Sequence, residues 1–177
     1  MKHFAISQLP DGSARITPIP ATATLINCAR MDRSNDTTPT QDEALAALAL
    51  YAARKAKITA LDAKFAADCR TGASVTVGAD TFRIPLDERR NDYAQLATNE
   101  TNRLALAADD AARAAIFAET FAIYDAAGSL HPMTIREALT AIATAGEAYK
   151  ALFATRATKL AAVAAAADVA AVNAITV

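Results

Sequence analysis

The chain has 177 residues, of which 53% are hydrophobic, only 6% are aromatic and none is tryptophan. Its 18 basic and 19 acidic residues leave a formal net charge of −1, and no basic block or basic–aromatic stripe gives it the electrostatic footprint of a nucleic-acid-binding protein. Much of the hydrophobic content is alanine, which buries little area per residue, so we expect the core to come from Leu, Ile, Val and Phe spread over long amphipathic helices.

Neither end of the sequence has the pattern of a targeting or membrane segment. The start, "MKHFAISQLPDG", lacks the apolar stretch of a signal peptide and reaches a turn at Pro10-Asp11-Gly12. The late run "LAAVAAAADVAAVNAITV" is mostly alanine and is interrupted by Asp168 and Asn173, so it is too weakly apolar for a membrane span. We expect a soluble protein that is made in the cytoplasm and does not insert into a membrane.

Residues 1–30 predict a small N-terminal β module. The stretches "HFAISQL" and "ARITPI" alternate apolar and polar residues on either side of a turn at residues 10–13, which predicts a hairpin. The stretch "ATATLINC" could add one more short strand. Such a module could dock on a partner by adding a strand to an exposed sheet edge. The polar residues 31–42, which include Pro39, predict a linker.

A long helix is predicted from about Thr40 to Arg70. Thr40 and Glu43 have the spacing of a capping box, in which a hydroxyl and a carboxylate three residues later cap the start of a helix. Gly72 supplies a stop signal. Residues at three-four spacing predict the buried stripe of this helix: Leu45, Leu48, Tyr51, Ala52, Lys55, Ile58, Leu61, Phe65 and Cys69.

Two further hairpins are predicted between helices. In the first, apolar residues alternate on both sides of Gly78-Ala79-Asp80, with Val75 and Val77 before it and Phe82 and Ile84 after it. In the second, "ETFAIYDAAGSLHPMT", residues 125–129 form the turn.

Capping residues predict where the remaining helices begin. Asp87 should cap a helix that ends near Ala108, and Asp109-Asp110 a second helix through about Phe117. Thr134, with Glu137 three residues later, should start a long helix, and Asp168 should cap a short last one. We therefore predict an α+β fold, mainly α, in which a small N-terminal β-hairpin module at residues 1–30 and a linker at 31–42 precede a helical domain at 43–177 that carries the two inserted hairpins.

No motif predicts a catalytic, cofactor-binding or metal site. The sequence has only two histidines, His3 and His131, and no Cys–His pairing, which excludes a zinc site of standard spacing. His131 precedes Pro132 and is expected to be a surface residue. A P-loop, a dinucleotide fingerprint and a nucleophile elbow are all missing.

One cluster of carboxylates has to be weighed as an acid–base pair. Asp87, Glu88 and Asp92 lie close in sequence to Arg89 and Arg90. General acid–base catalysis needs two carboxylates held across a cleft with separated pKa values, whereas this mixed spacing is typical of exposed ion pairs. We expect no catalytic residue, no cofactor, no metal and no enzyme activity.

The two cysteines, Cys28 and Cys69, allow two interpretations. They lie far apart and form no CxxC unit, so they can be ordinary small apolar residues. Alternatively, they form a disulfide within or between chains after release into an oxidising medium. Their spacing does not decide between these interpretations.

From about Ile58 to Val177 the order of the elements resembles the DUF4376 domain, a family found in tail and tail-fibre genes of tailed bacteriophages. The resemblance starts with the charged helix "ALDAKFAADC" and the hairpin "SVTVGADTFRIPLD", which has a phenylalanine two residues after the turn aspartate. It continues through the polar helix "RRNDYAQLATNETNRLALAA", the second hairpin "FAIYDAAGSLHPMTIREAL" and the long helix "YKALFATRATKLAAVAAAADVAAVNAI".

The resemblance implies a structural protein of the virion tail, made in the host bacterial cytoplasm. Its place would be the tail tip, the baseplate or the tail-fibre attachment region, with a role in host attachment and with other phage tail or fibre proteins as partners. A homo-oligomer is also expected, because symmetric assembly is the usual route for such parts. The family supplies no catalytic residues to carry over. The alternative is a tail-fibre assembly chaperone that is absent from the mature virion.

Overall fold

The computed structural model describes residues 1–25, 27–34 and 37–177. The fold is α+β and mainly α, which confirms the predicted class. Its elements in chain order are β1 (Lys2–Gln8), β2 (Ala14–Ile19), β3 (Ala29–Arg33), α1 (Gln41–Thr71), β4 (Ala73–Val77), β5 (Asp80–Ile84), α2 (Arg90–Leu106), α3 (Asp110–Ala118), β6 (Thr120–Tyr124), β7 (Leu130–Thr134), α4 (Ile135–Ala165) and α5 (Val169–Ala174).

The chain divides into two compact units. The first consists of Met1–Leu61 and Thr158–Val177, and the second of Asp62–Ala157. Helices α1 and α4 contribute residues to both units. The division therefore differs from the predicted one, which placed a single boundary at residues 31–42.

The first unit contains a three-stranded antiparallel sheet in the order β2-β1-β3. The predicted hairpin is present as β1 and β2. The third strand lies at Ala29–Arg33 and pairs with β1 so that Met31 is opposite Phe4, which shows that its predicted place in "ATATLINC" and the predicted start of the linker at residue 31 are wrong. Ile26 of that stretch, and Asn35 and Asp36 of the predicted linker, lie outside the described residues.

Helix α1 begins as its capping box predicts and packs on this sheet. The backbone N–H of Thr40 donates to Glu43 Oε2 at 2.8 Å, and that of Glu43 to Thr40 Oγ1 at 3.3 Å. The Gln41 side chain exchanges two hydrogen bonds of 3.0 Å with the backbone of Ala14 at the start of β2. These bonds hold the helix start against the sheet. The core of the unit contains Phe4, Ile6, Ala14, Ala29 and Ala44.

The predicted buried stripe of α1 is only partly correct. Leu61 and Cys69 are buried, whereas Leu45 and Ile58 are exposed. Ala44, one residue before Leu45, is fully buried against the sheet instead. Leu48 and Tyr51 of the predicted stripe pack against the same cluster, so the prediction fails here only at Leu45, where Ala44 takes the buried position.

The second unit contains the two predicted hairpins, and both are confirmed. In β4–β5, Val75 pairs with Phe82 across a turn in which Gly78 has a φ of +59°. In β6–β7, Ile123 pairs with His131 across the turn at residues 125–129. Gly72, with a φ of +79°, ends α1 as predicted, and its N–H donates to Asp68 O at 3.0 Å.

The core of the second unit is built on the hairpins and on small residues of α4. Alanines 138, 141 and 145 are buried in the same cluster as the hairpin side chains, although larger residues were expected to dominate the core. A side chain this small lets the helix lie close to the strands it covers. The cluster contains Cys69, Ala73, Val75, Phe82, Ile84, Leu86, Ile123, Met133, Ala138, Ala141 and Ala145.

Three of the four later helix starts are as predicted. The carboxylates of Asp109 and Asp168 each accept a backbone N–H at 2.8 Å, and Thr134 and Glu137 form a capping box. The fourth prediction is wrong, because α2 begins at Arg90 with Arg89 in the N-cap position.

None of the helices in the described ranges is both long enough and apolar enough to cross a membrane.

Candidate interaction surface

The two hairpins of the second unit are joined to each other. The N–H of Ala126, in the turn of the second hairpin, donates to Arg83 O on β5 at 2.7 Å. The ring of His131 on β7 stacks on the ring of Phe82 on β5, with centroids 4.1 Å apart and planes inclined by 12°. A backbone hydrogen bond and a stacked pair thus fix one hairpin against the other.

Asp125 organises the turn of the second hairpin. One carboxylate oxygen accepts the backbone N–H groups of Ala127 at 2.9 Å and Ser129 at 2.7 Å. The other lies 3.1 Å from Nε2 of His131. The contact with His131, followed by these backbone N–H groups, holds the pKa of Asp125 below its usual range. The ionised carboxylate therefore links the turn to the stacked pair.

The tip of this hairpin carries an exposed apolar pair. Tyr124 and Leu130 face each other across the strands and are 57% and 53% exposed. The hydroxyl of Tyr93 on α2 donates to Tyr124 O at 2.6 Å, which fixes the base of the tip. Full burial of one large apolar side chain is worth roughly 1.5–3 kcal/mol. A partner that covers these two half-exposed side chains would therefore add favourable free energy of burial. We call Tyr124 and Leu130 the hairpin tip.

In the carboxylate cluster after the first hairpin, Asp87 has a structural role in the turn that precedes α2. Asp87 accepts the backbone N–H of Arg89 at 3.2 Å and forms an ion pair with its guanidinium, in which Nε and Nη2 each lie 3.2 Å from a carboxylate oxygen. The guanidinium is the main cause of a lowered pKa at Asp87. Asp87 thus binds Arg89 instead of capping α2, in an ion pair that is half-buried rather than exposed as predicted.

The histidines lie in environments that the sequence did not reveal. His131, expected on the surface, is half-buried in the stack on Phe82. The two residues are far apart in sequence, so no local pattern could have indicated their contact. In the first unit, Nδ1 of His3 lies 2.7 Å from Asp32 of β3.

Within the single chain the structure contains no disulfide between Cys28 and Cys69, and a disulfide between chains stays a prediction. Both are thiols, with Cys28 half-buried in the first unit and Cys69 buried in the core of the second. Burial raises the pKa of the Cys69 thiol, which makes it a poor nucleophile.

Within the described part of the chain, no group of three or more His, Cys, Asp or Glu side chains is arranged to hold a metal ion.

Comparison of the chain with family models, with curated protein sequences and with solved structures finds no match in any of the three. The similarity to DUF4376 therefore remains a hypothesis that depends on the motifs and on the order of the elements.

Proposed function

We propose that this chain is a structural component of a tailed-phage virion that acts through protein–protein assembly at the tail tip, the baseplate or the tail-fibre attachment region. The observation that carries the proposal is the order of elements from α1 through β4–β5, α2, α3 and β6–β7 to α4. This order supports the resemblance to the phage family, because both hairpins lie between helices as that resemblance requires, with α3 as a further helix before the second hairpin.

The second unit has the properties of a contact module. Its hairpins are joined by the Ala126–Arg83 hydrogen bond and by the Phe82–His131 stack, so the hairpin tip is held in place before any partner arrives. A preorganised apolar contact loses little conformational entropy on binding, which favours assembly. The partner would be another tail or fibre protein.

The sheet of the first unit offers a second contact point. Its two edge strands are β2 and β3. Pro18 removes a backbone donor from β2, which discourages the addition of a strand at that edge. The edge at β3 is therefore the one to which a strand of a partner would add.

Mass spectrometry of purified virions tests the proposal. We expect the chain in particles at a fixed stoichiometry to known tail proteins. If it is absent from particles but co-purifies with co-expressed fibre protein, the assembly chaperone replaces our proposal. If it is found in neither place, both functions are excluded.

The contribution of the hairpin tip can be tested separately. The double variant Tyr124→Ser, Leu130→Ser should be folded, because both side chains are largely exposed, but should be depleted from particles. Leu106→Ser is the matched control, since Leu106 is 86% exposed at the end of α2, away from the tip in sequence. Equal incorporation of the double variant and the control would show that the tip is not the contact.

A further inference from the structure

An open cavity of the first unit lies between α1 and the last turns of α4. Its volume of about 710 Å³ is within the range of small-molecule sites. Four of the side chains that line it, Tyr51, Arg54, Lys55 and Ile58, have the spacing of a single face of α1. Leu160 lines it from α4. We call this space the α1–α4 cavity.

The charged side chains that line the α1–α4 cavity are both cations. Among the described residues, its lining contains Arg54 and Lys55 but no aspartate or glutamate. Neither cation forms an ion pair with a carboxylate in the part of the chain that the structure describes. The Nζ atom of Lys55 lies 3.4 Å from a neutral acceptor, the side-chain oxygen of Asn27. An anion that enters the cavity therefore meets two positive charges and no opposing carboxylate on its wall.

The guanidinium of Arg54 has hydrogen-bonding capacity that the fold does not use. Its side chain extends to the residue that follows α4, where Nη2 donates to Ala166 O at 2.6 Å and caps the helix end. Its Nε atom is buried and has no hydrogen-bond partner among the described residues. A guanidinium carries more N–H donors than one carbonyl can satisfy, and a buried donor without an acceptor costs free energy. An anion held against this guanidinium would supply the missing acceptors.

The remaining wall of the α1–α4 cavity selects an anion that has an apolar body. Ile58 is 40% exposed, and with Tyr51 and Leu160 it gives the cavity an apolar surface beside the two cations. A small hydrophilic anion would leave this surface in water, whereas an aliphatic chain would cover it. A planar carboxylate matches the fork of N–H donors that a guanidinium presents. Charge, shape and apolar surface are thus complementary to an aliphatic carboxylate.

We propose that the α1–α4 cavity binds a small aliphatic carboxylate. Arg54 and Lys55 hold the carboxylate, and Tyr51, Ile58 and Leu160 cover the hydrocarbon. This goes beyond the virion proposal, because the site lies within the first unit and needs no other protein.

Isothermal titration calorimetry of the full chain with octanoate tests the site. Octanoate should bind saturably, with one molecule per chain. Octanol has the same hydrocarbon without the charge and octylammonium has the opposite charge, so each should bind at least about tenfold more weakly. Hexanoate should also bind about tenfold more weakly, because it buries two methylene groups fewer. Inorganic phosphate at the concentration of octanoate should not displace it.

Charge variants locate the carboxylate. Lys55→Glu should raise the dissociation constant for octanoate at least about fivefold, because it replaces an attraction with a repulsion. Lys150→Glu is the matched control, since it makes the same change in net charge at an exposed position of the second unit and should leave the constant unchanged. Arg54→Gln should raise the constant at least about tenfold, while its amide can still donate to Ala166 O.

A third variant tests the apolar wall and keeps the test independent of Arg54. Ile58→Ser should weaken the binding of octanoate and octanol by the same factor, because it changes only the contact with the hydrocarbon. Lys55 and Ile58 are exposed, so these variants should be folded by circular dichroism even if Arg54→Gln is not. No saturable binding of octanoate to wild type, equal affinity for octylammonium, or equal affinity of Lys55→Glu and Lys150→Glu for octanoate would each overturn the proposal.

Discussion

Gly72, between α1 and β4, should be among the least replaceable positions of the second unit. Its φ is +79°, and a Cβ built on it would overlap the backbone oxygen of Ile84 and lie 2.8 Å from the carbonyl carbon of that residue. Gly78, in the turn of the first hairpin, has a similar φ of +59°, but a Cβ there meets nothing within 4 Å among the described residues. The two glycines therefore separate backbone strain from steric overlap.

The expected magnitudes follow from that difference. A left-handed backbone costs an alanine roughly 1–2 kcal/mol, and this cost is common to both positions. At Gly72 the opposing atom belongs to the backbone of β5, which is paired with β4 and cannot move away freely. Overpacking of this kind typically adds about 1–3 kcal/mol. Gly72→Ala should thus lower the free energy of unfolding by about 2–5 kcal/mol, and Gly78→Ala by about 1–2 kcal/mol.

Urea denaturation of the full chain, followed by far-ultraviolet circular dichroism, measures both variants. Equal slopes would show that the variants differ in stability rather than in the surface exposed on unfolding. A Gly72→Ala chain that is unfolded in buffer beside a folded Gly78→Ala chain would support the argument. Equal midpoints for the two variants would refute it, because the close approach of Gly72 to Ile84 would then carry no cost.

Three other changes test the hairpins and α4. Thr134→Ala removes a hydroxyl that accepts the N–H of Glu137 at 3.3 Å. Thermal unfolding should show that the free energy of unfolding falls by about 1 kcal/mol. No change would show that the cap does not stabilise the helix. Phe82→Ala opens the core and should cost about 3–5 kcal/mol in urea denaturation, so a loss below about 1 kcal/mol would contradict the packing described. Because His131 holds the pKa of Asp125 below its usual range, this carboxylate stabilises the fold above about pH 4 and loses that contribution as the pH falls through its folded pKa. Asp125→Asn should flatten the acid side of the stability profile, and an unchanged profile would refute the linkage.

The sequence was sufficient where structure depends on neighbouring residues. The capping box of Thr40 and Glu43 predicted the start of α1, and the turn residues predicted both hairpins of the second unit. In each case a side chain satisfies a backbone group only a few residues away, or a glycine supplies a positive φ.

The sequence was not sufficient where partners are distant. Strand β3 contains the charged residues Asp32 and Arg33, which indicated the start of a linker, and only its pairing with β1 makes it a strand. The stack of His131 on Phe82 joins two hairpins, and helices α2 and α3 lie between these hairpins in the chain. The exposure of Phe153 differs from the general expectation that phenylalanines contribute to the core, because helical spacing alone does not say which face of a helix the core covers.

The buried and the exposed side chains of α4 differ in size. Helix α4 turns alanines 138, 141 and 145 towards the core and leaves Phe153 half exposed. Burial of a phenylalanine is worth roughly 1.5–3 kcal/mol, well above what an alanine can contribute, but a side chain of that size would overpack the space between α4 and the strands that the alanines fill. A sequence that keeps small residues inside and an ordered ring outside forgoes this stabilisation in the single copy. The stabilisation becomes available when another surface covers the ring, as the proposed assembly into a tail would allow.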